Sequence, residues 1–391
     1  MQLIPAIARS ASELAEWRHR IHAAPELGFE EERTAELVAQ QLLSFGCEVH
    51  RGIAGTGVVG RLVNGNSPRT IGLRADMDAL PIHEQNELSY RSRHDGRMHA
   101  CGHDGHITML LGAARYLAET RDFNGTVNFI FQPAEEGLGG AKKMIEEGLF
   151  ARFPCEAVFG MHNAPGLGVG KFAIRPGPMM AGGGFFDIRI TGKGSHGARP
   201  ELSADPIVAA SHIAAALQTI VSRNLRPIDT AVVSVTRFHA GEAYNVIPET
   251  AVIGGTMRAF GNNALAQIEE AMRRIASGVA AGFGAVAEVD YRILFPPVVN
   301  LADETQFIAD AAAELVGDEN VERNCPLNMA SEDFSFMLNE RPGAYIRIGN
   351  GDEPGWCGVH NPRYDFNDEI LPLGASLFAR LVEKRLARGS E

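Results

Sequence analysis

Short apolar segments that each end in polar side chains are the sequence feature that most constrains the fold. These segments and the polar residues after them are 70–75 with Asp76 and Asp78, 125–131 with Glu135 and Glu136, and 157–161 with His162. Apolar runs of this length are typical of buried parallel strands, and helical patterns separate them. The alternation predicts an open α/β sheet with a functional site at the carboxyl ends of its strands.

A different pattern begins after about Gly182. The predicted elements are strands at 184–190, 231–238, 250–259 and 285–293, and helices at 205–221 and 263–282. They follow the order βαββαβ, the ferredoxin-like split motif. This region begins at Gly182-Gly183-Gly184 and ends at Phe295-Pro296-Pro297, and both segments are typical of hinges. We therefore expect an α+β domain at 183–297, inserted into a catalytic domain formed by 1–182 and 298–391.

Composition and charge exclude several classes of partner. The net charge is −12 and no basic block occurs, which argues against nucleic acid and against an anionic membrane surface. The five cysteines are scattered and odd in number, so they do not predict a disulfide framework. We recognise neither a signal-peptide pattern nor an apolar run of the ~20 residues that span a bilayer. These features predict a soluble, cytoplasmic protein.

The stretch at 98–106 places a thiol, three imidazoles and a carboxylate within nine residues. Zinc-class metal ions favour sulfur and nitrogen ligands, so Cys101 and His103 are candidate metal ligands. Asp104 and His106 would then orient the ligands through hydrogen bonds. The alternative is a buried free cysteine beside surface histidines.

The adjacent carboxylates Glu135 and Glu136 follow a predicted buried strand. Like charges at such a position repel each other unless cations separate them. One carboxylate would ligate a metal ion, and the other would act as general base on a metal-activated water. The alternative is a solvated acidic turn.

Four further residues have more than one interpretation from the sequence. His162 follows an apolar strand, and His360 lies in the segment Cys357-Gly358-Val359-His360. Taken alone, each is more typical of a hydrogen-bonded core histidine. Asp76 and Asp78 end a strand and could be ligands, orienting groups or caps.

Candidate substrate-binding residues occur in the predicted inserted domain. His196 lies in Ser195-His196-Gly197-Ala198-Arg199-Pro200, for which a glycine-rich surface turn is the alternative. Arg258 lies in a strand that is apolar on one face, and it could bind a carboxylate through two parallel hydrogen bonds. Asn245 lies nearby in Ala243-Tyr244-Asn245-Val246.

Several segments together resemble the M20 metallopeptidase family. They are LRADMDALP at 73–81, MHACGHDGH at 98–106, FQPAEE at 131–136, GSHGARP at 194–200, NVIP at 245–248 and SEDF at 331–334. The chain is most similar to the N-acyl-amino-acid amidohydrolase branch, which includes hippurate hydrolases and auxin-conjugate hydrolases. The resemblance implies a zinc-aminopeptidase-like catalytic domain with an open mixed sheet, and an inserted ferredoxin-like domain that acts as a lid and in dimerisation.

The same resemblance implies a role for each candidate residue. Two divalent metal ions per subunit would be held by Cys101, which bridges them, and by His103, Glu136, His162 and His360. Glu135 would be the general base, and Asp78 would orient a ligand. His196 would stabilise the oxyanion in the partner subunit of a homodimer, with a homotetramer as the alternative. Asn245 and Arg258 would bind the carbonyl and the carboxylate of the substrate.

The chain departs from the wider family at two positions. Asp76-Met77-Asp78 stands where that family has His-x-Asp, and Cys101 stands where it has a bridging aspartate; the branch shares both features. A thiolate bridge suits Zn²⁺ better than Mn²⁺, and Co²⁺ and Ni²⁺ are further candidates.

The expected activity is hydrolysis of the amide bond of small N-acyl amino acids, hippurate-like or N-acetylated, by a metal-activated water. A metallo-dipeptidase or aminoacylase of the same family is the alternative. A nucleotide-binding oxidoreductase is excluded, because the GxGxxG at 55–60 continues as a strand where that fingerprint requires a helix. A serine hydrolase using Ser195 lacks the GxSxG elbow, because Lys193 occupies the place of the first glycine. A cysteine hydrolase using Cys101 would leave the glutamate pair unexplained, and a non-catalytic metal-binding protein would not need Glu135 beside Glu136.

Overall fold

The computed structural model describes residues 1–353 and 357–388. The chain forms two compact units. The first unit consists of Met1–Met179, Val299–Pro326 and Asp333–Glu391, and the second consists of Met180–Val298 and Leu327–Glu332. The second unit is close in extent to the expected insertion at 183–297. It also contains Leu327–Glu332, which no sequence pattern indicated.

The helices and strands are numbered in chain order. The α-helices are α1 (Pro5–Arg9), α2 (Ala11–His22), α3 (Glu32–Ser44), α4 (His103–Thr120), α5 (Gly140–Glu146), α6 (Leu149–Arg152), α7 (Pro206–Leu217), α8 (Asn262–Gly282), α9 (Ala302–Val316), α10 (Phe334–Glu340) and α11 (Leu371–Arg385). The strands are β1 (Glu48–Ile53), β2 (Gly57–Asn64), β3 (Thr70–Asp76), β4 (Gly125–Gln132), β5 (Ala157–Pro165), β6 (Phe172–Ala173), β7 (Gly177–Met180), β8 (Gly182–Thr191), β9 (Ser195–His196), β10 (Ala231–Ala240), β11 (Val246–Ile247), β12 (Thr250–Ala259), β13 (Val286–Phe295), β14 (Val298–Asn300), β15 (Val321–Glu322) and β16 (Gly343–Gly351).

The first unit is built on a mixed sheet. Among the residues that the structure describes, this sheet has eight strands in the order β1-β2-β4-β3-β5-β16-β6-β15. Its centre is parallel, because β3 pairs in parallel with β4 and β5, and β5 pairs in parallel with β16. Every residue of β4 is buried, as expected for a strand covered on both faces. The prediction of an open α/β sheet is confirmed.

Helix α4 begins earlier than the apolar pattern indicates. The apolar helical pattern in the sequence predicts a helix at 106–119, but His103 is the first helical residue. Gly102 precedes it with φ +90°, and a Cβ at Gly102 would lie 2.5 Å from the Asn163 side-chain oxygen. Glycine is therefore required here, because an L side chain disfavours this conformation and would collide. The turn places Cys101 just ahead of the helix and His103 in its first turn.

The second unit has its own hydrophobic core, between a four-stranded sheet and the helices α7 and α8. The sheet is antiparallel, with the order β10-β12-β8-β13. The predicted βαββαβ arrangement is confirmed. Gly182-Gly183-Gly184 forms the start of β8, and a Cβ at Gly184 would lie 1.9 Å from the Arg292 carbonyl oxygen. This triplet therefore permits close strand pairing.

No helix among the described residues combines the length and the apolar character needed to cross a membrane.

A buried ionic network joins α2 to α4 in the first unit. The Asp104 carboxylate accepts a hydrogen bond from Arg18 at 3.2 Å and lies 2.8 Å from Nδ1 of His22. The other ring nitrogen of His22 is 3.3 Å from Glu84. Burial lowers the pKa of His22, but Asp104 and Glu84 outweigh it and raise that pKa to about 9. The network fixes the helix turn that carries His103.

We expect the contribution of His22 to stability to depend on pH. Its folded pKa of about 9 exceeds the value of about 6.5 for an unfolded histidine, so protonation favours the folded state. The contribution is complete below about pH 6.5 and is lost as the pH rises through about 9. Between these values, the difference in unfolding free energy between wild type and His22→Gln should fall by about 1–3 kcal/mol.

Urea unfolding in the presence of a chelator measures this difference, since the chelator removes any contribution from bound metal. The matched control is His83→Gln, which alters an exposed histidine. A wild-type-to-variant difference that stays constant from about pH 6 to 10 would contradict the prediction.

Candidate metal centre

Six of the residues predicted for the site lie together in the first unit. Three groups each have their potential ligand atoms within 4.8 Å of one another: Cys101, His103 and His162; Cys101, Glu136 and His360; and His103, Glu135 and Glu136. Cys101 belongs to two of these groups. His103 and Glu136 also belong to two groups each, so the three groups overlap and form one cluster.

His103 projects from the first turn of α4 among carboxylates. Its Nδ1 lies 3.3 Å from Asp78 Oδ1. Its Nε2 lies 3.9 Å from Glu136 Oε1 and makes no hydrogen bond within the described chain. An Nδ1–carboxylate contact with a free Nε2 is the usual arrangement of a metal-ligating histidine.

His162 lies within β5, where we had expected it to follow the strand. Its Nδ1 is 2.7 Å from the carbonyl oxygen of Asn163, so Nδ1–H donates and Nε2 carries the lone pair. That Nε2 lies 3.4 Å from the Cys101 sulfur. Burial and the neighbouring His106 hold the pKa of His162 well below its usual value, which keeps the ring neutral.

His360 completes the second group from a left-handed backbone conformation. Its φ is +64°, which is uncommon for a residue other than glycine. Its backbone N–H donates to the Ala100 carbonyl at 2.7 Å, and its Nε2 lies 3.2 Å from Glu136 Oε1. The backbone bond fixes His360 to the segment that carries Cys101.

The glutamate pair lies in the turn after β4. The backbone N–H of Glu136 donates to Asp78 Oδ2 at 2.9 Å, so Asp78 contacts both this turn and His103. The Glu135 side chain is buried, and its Oε1 accepts a bond of 3.4 Å from the Asp333 amide. Glu135 therefore lies inside the protein and Glu136 is half-buried, which argues against a solvated acidic turn.

The remaining predicted residues lie in the second unit. His196 is exposed on β9, which pairs with β11. Asn245 is its neighbour, since the Gly197 N–H donates to the Asn245 carbonyl at 2.7 Å. Arg258 lies on β12, and its guanidinium donates to Thr256 Oγ1 at 2.7 Å. The functions predicted for these three residues stay predictions.

Comparison with known proteins identifies the family. Residues 72–384 match peptidase family M20/M25/M40. The chain belongs to this family. It is 47% identical to a hippurate hydrolase from Campylobacter jejuni, covering 99% of this chain and 100% of the relative. It is 43% identical to an IAA-amino acid hydrolase from Arabidopsis thaliana, covering 94% and 84% of the two chains.

A solved structure in the same family has a similar fold. It is a dinuclear metal-binding M20 peptidase from Bacillus subtilis, with a TM-score of 0.85, 36% identity, and coverage of 97% of this chain and 99% of that chain. The predicted family and fold are confirmed. As a member of an M20 peptidase family, the chain is a hydrolase acting on amide bonds.

The electrostatics of this M20 site fit a bound cation. Burial, together with Glu136 and Glu135, raises the pKa of the Cys101 thiol well above its usual value. A nucleophilic cysteine needs electropositive surroundings, so these carboxylates disfavour the cysteine-hydrolase alternative. Thiol, imidazole and carboxylate donors converging on one point match the ligand preferences of zinc-class ions.

The sequence predicted only part of the hydrogen bonding around the candidate ligands. Asp76 Oδ2 accepts from Arg74 at 2.7 Å, and Asp76 Oδ1 lies 2.6 Å from Nδ1 of His106. The other ring nitrogen of His106 lies 2.7 Å from the Asn163 side-chain oxygen. The sequence suggested an orienting role for His106, but nothing in it singled out Asn163, which lies directly after His162.

Asp78→Asn should weaken metal binding. The amide has a single oxygen, so it cannot present an oxygen both to Glu136 N–H and to His103 Nδ1 as the carboxylate does. Loss of such an orienting contact typically lowers metal affinity about 10–100-fold. Competition with a chromophoric chelator measures the affinity, and Asp95→Asn, at an exposed aspartate, is the matched control. Equal affinities for Asp78→Asn and wild type would refute an orienting role.

Proposed function

We propose that the chain hydrolyses the amide bond of N-acyl amino acids such as hippurate, releasing a carboxylic acid and a free amino acid. The observation that most supports this proposal is that the buried Glu135 side chain lies in one group with His103 and Glu136. A base beside a cluster of metal-type ligands is the arrangement that metal-assisted hydrolysis requires. The identity of 47% to a hippurate hydrolase over nearly the whole chain supports this substrate class.

We propose two divalent metal ions per subunit, with Zn²⁺, Mn²⁺, Co²⁺ and Ni²⁺ as candidates. The residues that would hold them are Cys101, His103, His162, Glu136 and His360. When bound, such ions lower the pKa of a water molecule and polarise the scissile carbonyl. Asp78 keeps His103 oriented, and the Asn163 carbonyl keeps His162 oriented, through the contacts described above.

Glu135 carries the proton in this scheme. Its carboxylate accepts a proton from the attacking water and then delivers it to the nitrogen of the departing amino acid. Burial suits this task, because bulk water is excluded from the base. The neighbouring Glu136 has the different task of binding metal, and its contact with His360 supports that division.

Residues of the second unit complete the proposed scheme by resemblance to the family. His196 stabilises the oxyanion by donating a hydrogen bond, Asn245 binds the substrate carbonyl, and Arg258 binds the amino-acid carboxylate. His196 is exposed, with Nδ1 accepting from the Ala198 amide at 3.1 Å, so its Nε2–H is available as a donor. The subunits form a homodimer in which His196 acts on the partner's substrate.

Glu135→Gln should abolish turnover without removing metal. The amide preserves the shape of the side chain but cannot accept a proton, and general-base catalysis typically contributes about 10²–10⁴-fold to rate. The rate of glycine release from hippurate measures kcat, and elemental analysis measures bound metal. The matched control is Glu340→Gln at an exposed glutamate. Turnover within about threefold of wild type would exclude Glu135 as the base.

Mixing two inactive variants tests the proposed action of His196 in the partner subunit. Glu135→Gln and His196→Ala each lack one catalytic group, but a mixed dimer regains one complete site. Removal of an oxyanion-stabilising donor typically costs about 10²–10³-fold in rate, so a recovered signal stands well above either parent. We expect hippurate hydrolysis to rise after subunit exchange. Differently tagged subunits verify that exchange has taken place. If hydrolysis still does not rise after verified exchange, His196 does not act on the partner's substrate.

A further inference from the structure

We propose that Glu31 is a positioning residue that fixes the turn carrying Glu135. The proposal rests on the function proposed above, because that function makes Glu135 the base. Glu31 lies ahead of α3, in a run of three glutamates at 30–32, and no sequence pattern distinguished it from its neighbours.

The contacts of Glu31 lead directly to the turn. Its side chain is fully buried, whereas Glu30 and Glu32 on either side are exposed. Oε1 accepts a 2.8 Å hydrogen bond from the backbone N–H of Ala134, which immediately precedes Glu135. Oε2 accepts from Thr56 Oγ1 at 2.5 Å. The threonine bond fixes the rotamer, so the first oxygen remains aimed at Ala134.

The turn needs such support because its backbone is strained. Ala134 has φ +54°, a left-handed conformation that is unfavourable for a residue with a Cβ. A buried carboxylate that accepts from the Ala134 amide stabilises this conformation. Two positions later, Glu136 N–H donates to Asp78 at 2.9 Å. Glu135 thus lies between two amides that are each held by a carboxylate from another part of the chain.

Packing around the same turn supports this role. Gly28 lies so close that a Cβ there would stand 3.0 Å from Ala134 Cβ and 2.8 Å from Leu138 Cδ1. The segment that contains Gly28 is bonded in turn to the segment after β3, since Ala79 N–H donates to the Glu26 carbonyl at 2.8 Å. The loop before α3 therefore contacts both the Glu135 turn and the segment after β3, which carries Asp78.

Shape, and not charge, should decide which residue can replace Glu31. Burial raises the pKa of Glu31, and the donors to its two oxygens, the Ala134 amide and the Thr56 hydroxyl, are both neutral groups. Glutamine keeps the chain length, an acceptor oxygen for Ala134 and an amide that can donate to Thr56 Oγ1. Aspartate keeps the charge but is one methylene shorter, which withdraws the acceptor from Ala134.

Hydrogen exchange in the metal-free protein tests the positioning role without relying on catalysis. In the peptide covering 131–137, we expect wild type and Glu31→Gln to protect the Ala134 amide, and Glu31→Asp to exchange it at least about tenfold faster. Glu32→Ala is the matched surface control, and peptides of β16, in the same unit as Glu31, report any general destabilisation of that unit. Equal exchange of the Ala134 amide in Glu31→Asp and Glu31→Gln would overturn the proposal. The comparison does not need Glu31→Ala, which could fail to fold because it leaves the Ala134 amide without its acceptor.

Kinetics on hippurate with metal restored provide the second readout. Displacing the base should lower kcat about 10–100-fold in Glu31→Asp, with KM changed less than threefold and metal content unchanged. Glu31→Gln should stay within about threefold of wild-type kcat. A fall in kcat for Glu31→Gln equal to that for Glu31→Asp would contradict positioning by shape. If wild type itself hydrolyses no N-acyl amino acid, the proposed function fails, while the exchange experiment still decides whether Glu31 fixes the turn.

Discussion

The clustering of carboxylates around one imidazole is the constraint on which the site depends. His103 lies within 4 Å of Asp76, Asp78 and Glu136, and all but Glu136 are fully buried. Burial lowers the pKa of His103, but these carboxylates outweigh it and raise that pKa to about 10. Several buried negative charges at one point are costly unless cations neutralise them. The first unit therefore provides a strong cation site before any ligand is considered.

The fold accounts for this convergence. The carboxyl ends of β3 and β4 lie side by side because the strands are parallel, which brings Asp76 and Asp78 next to the turn of Glu135 and Glu136. The Gly102 turn starts α4 at His103, beside these strand ends. Arg18 and His22 of α2 hold Asp104, so the helix start is fixed from its other side. His103 and His162 thus lie on a helix and a strand, and Cys101 lies just ahead of α4, which favours a preorganised site.

The sequence predicted the parts of the site that depend on local patterns. Buried strands followed by polar residues made Asp78, Glu136 and His162 candidates, because such runs are readable from hydrophobicity alone. Only the resemblance to the family implied a role for each of them. The start of α4 was misplaced by three residues, since His103-Asp104-Gly105 carries no apolar signal and the start depends on a left-handed glycine.

Contacts between distant parts of the chain could not be predicted from local sequence patterns. Glu31 and Ala134 are 103 positions apart, and His106 and Asn163 are 57 apart, so no spacing rule connects them. The inclusion of Leu327–Glu332 in the second unit is also a tertiary property. These contacts fix the orientation of groups whose identity the sequence already indicated.

Metal titration of the metal-free protein tests whether the cluster around His103 is a catalytic metal centre. We expect chelated protein not to hydrolyse hippurate, and stepwise addition of Zn²⁺, Mn²⁺, Co²⁺ or Ni²⁺ to restore turnover until two ions are bound per chain. Undiminished hydrolysis after complete removal of metal, verified by elemental analysis, would show that the reaction does not depend on metal.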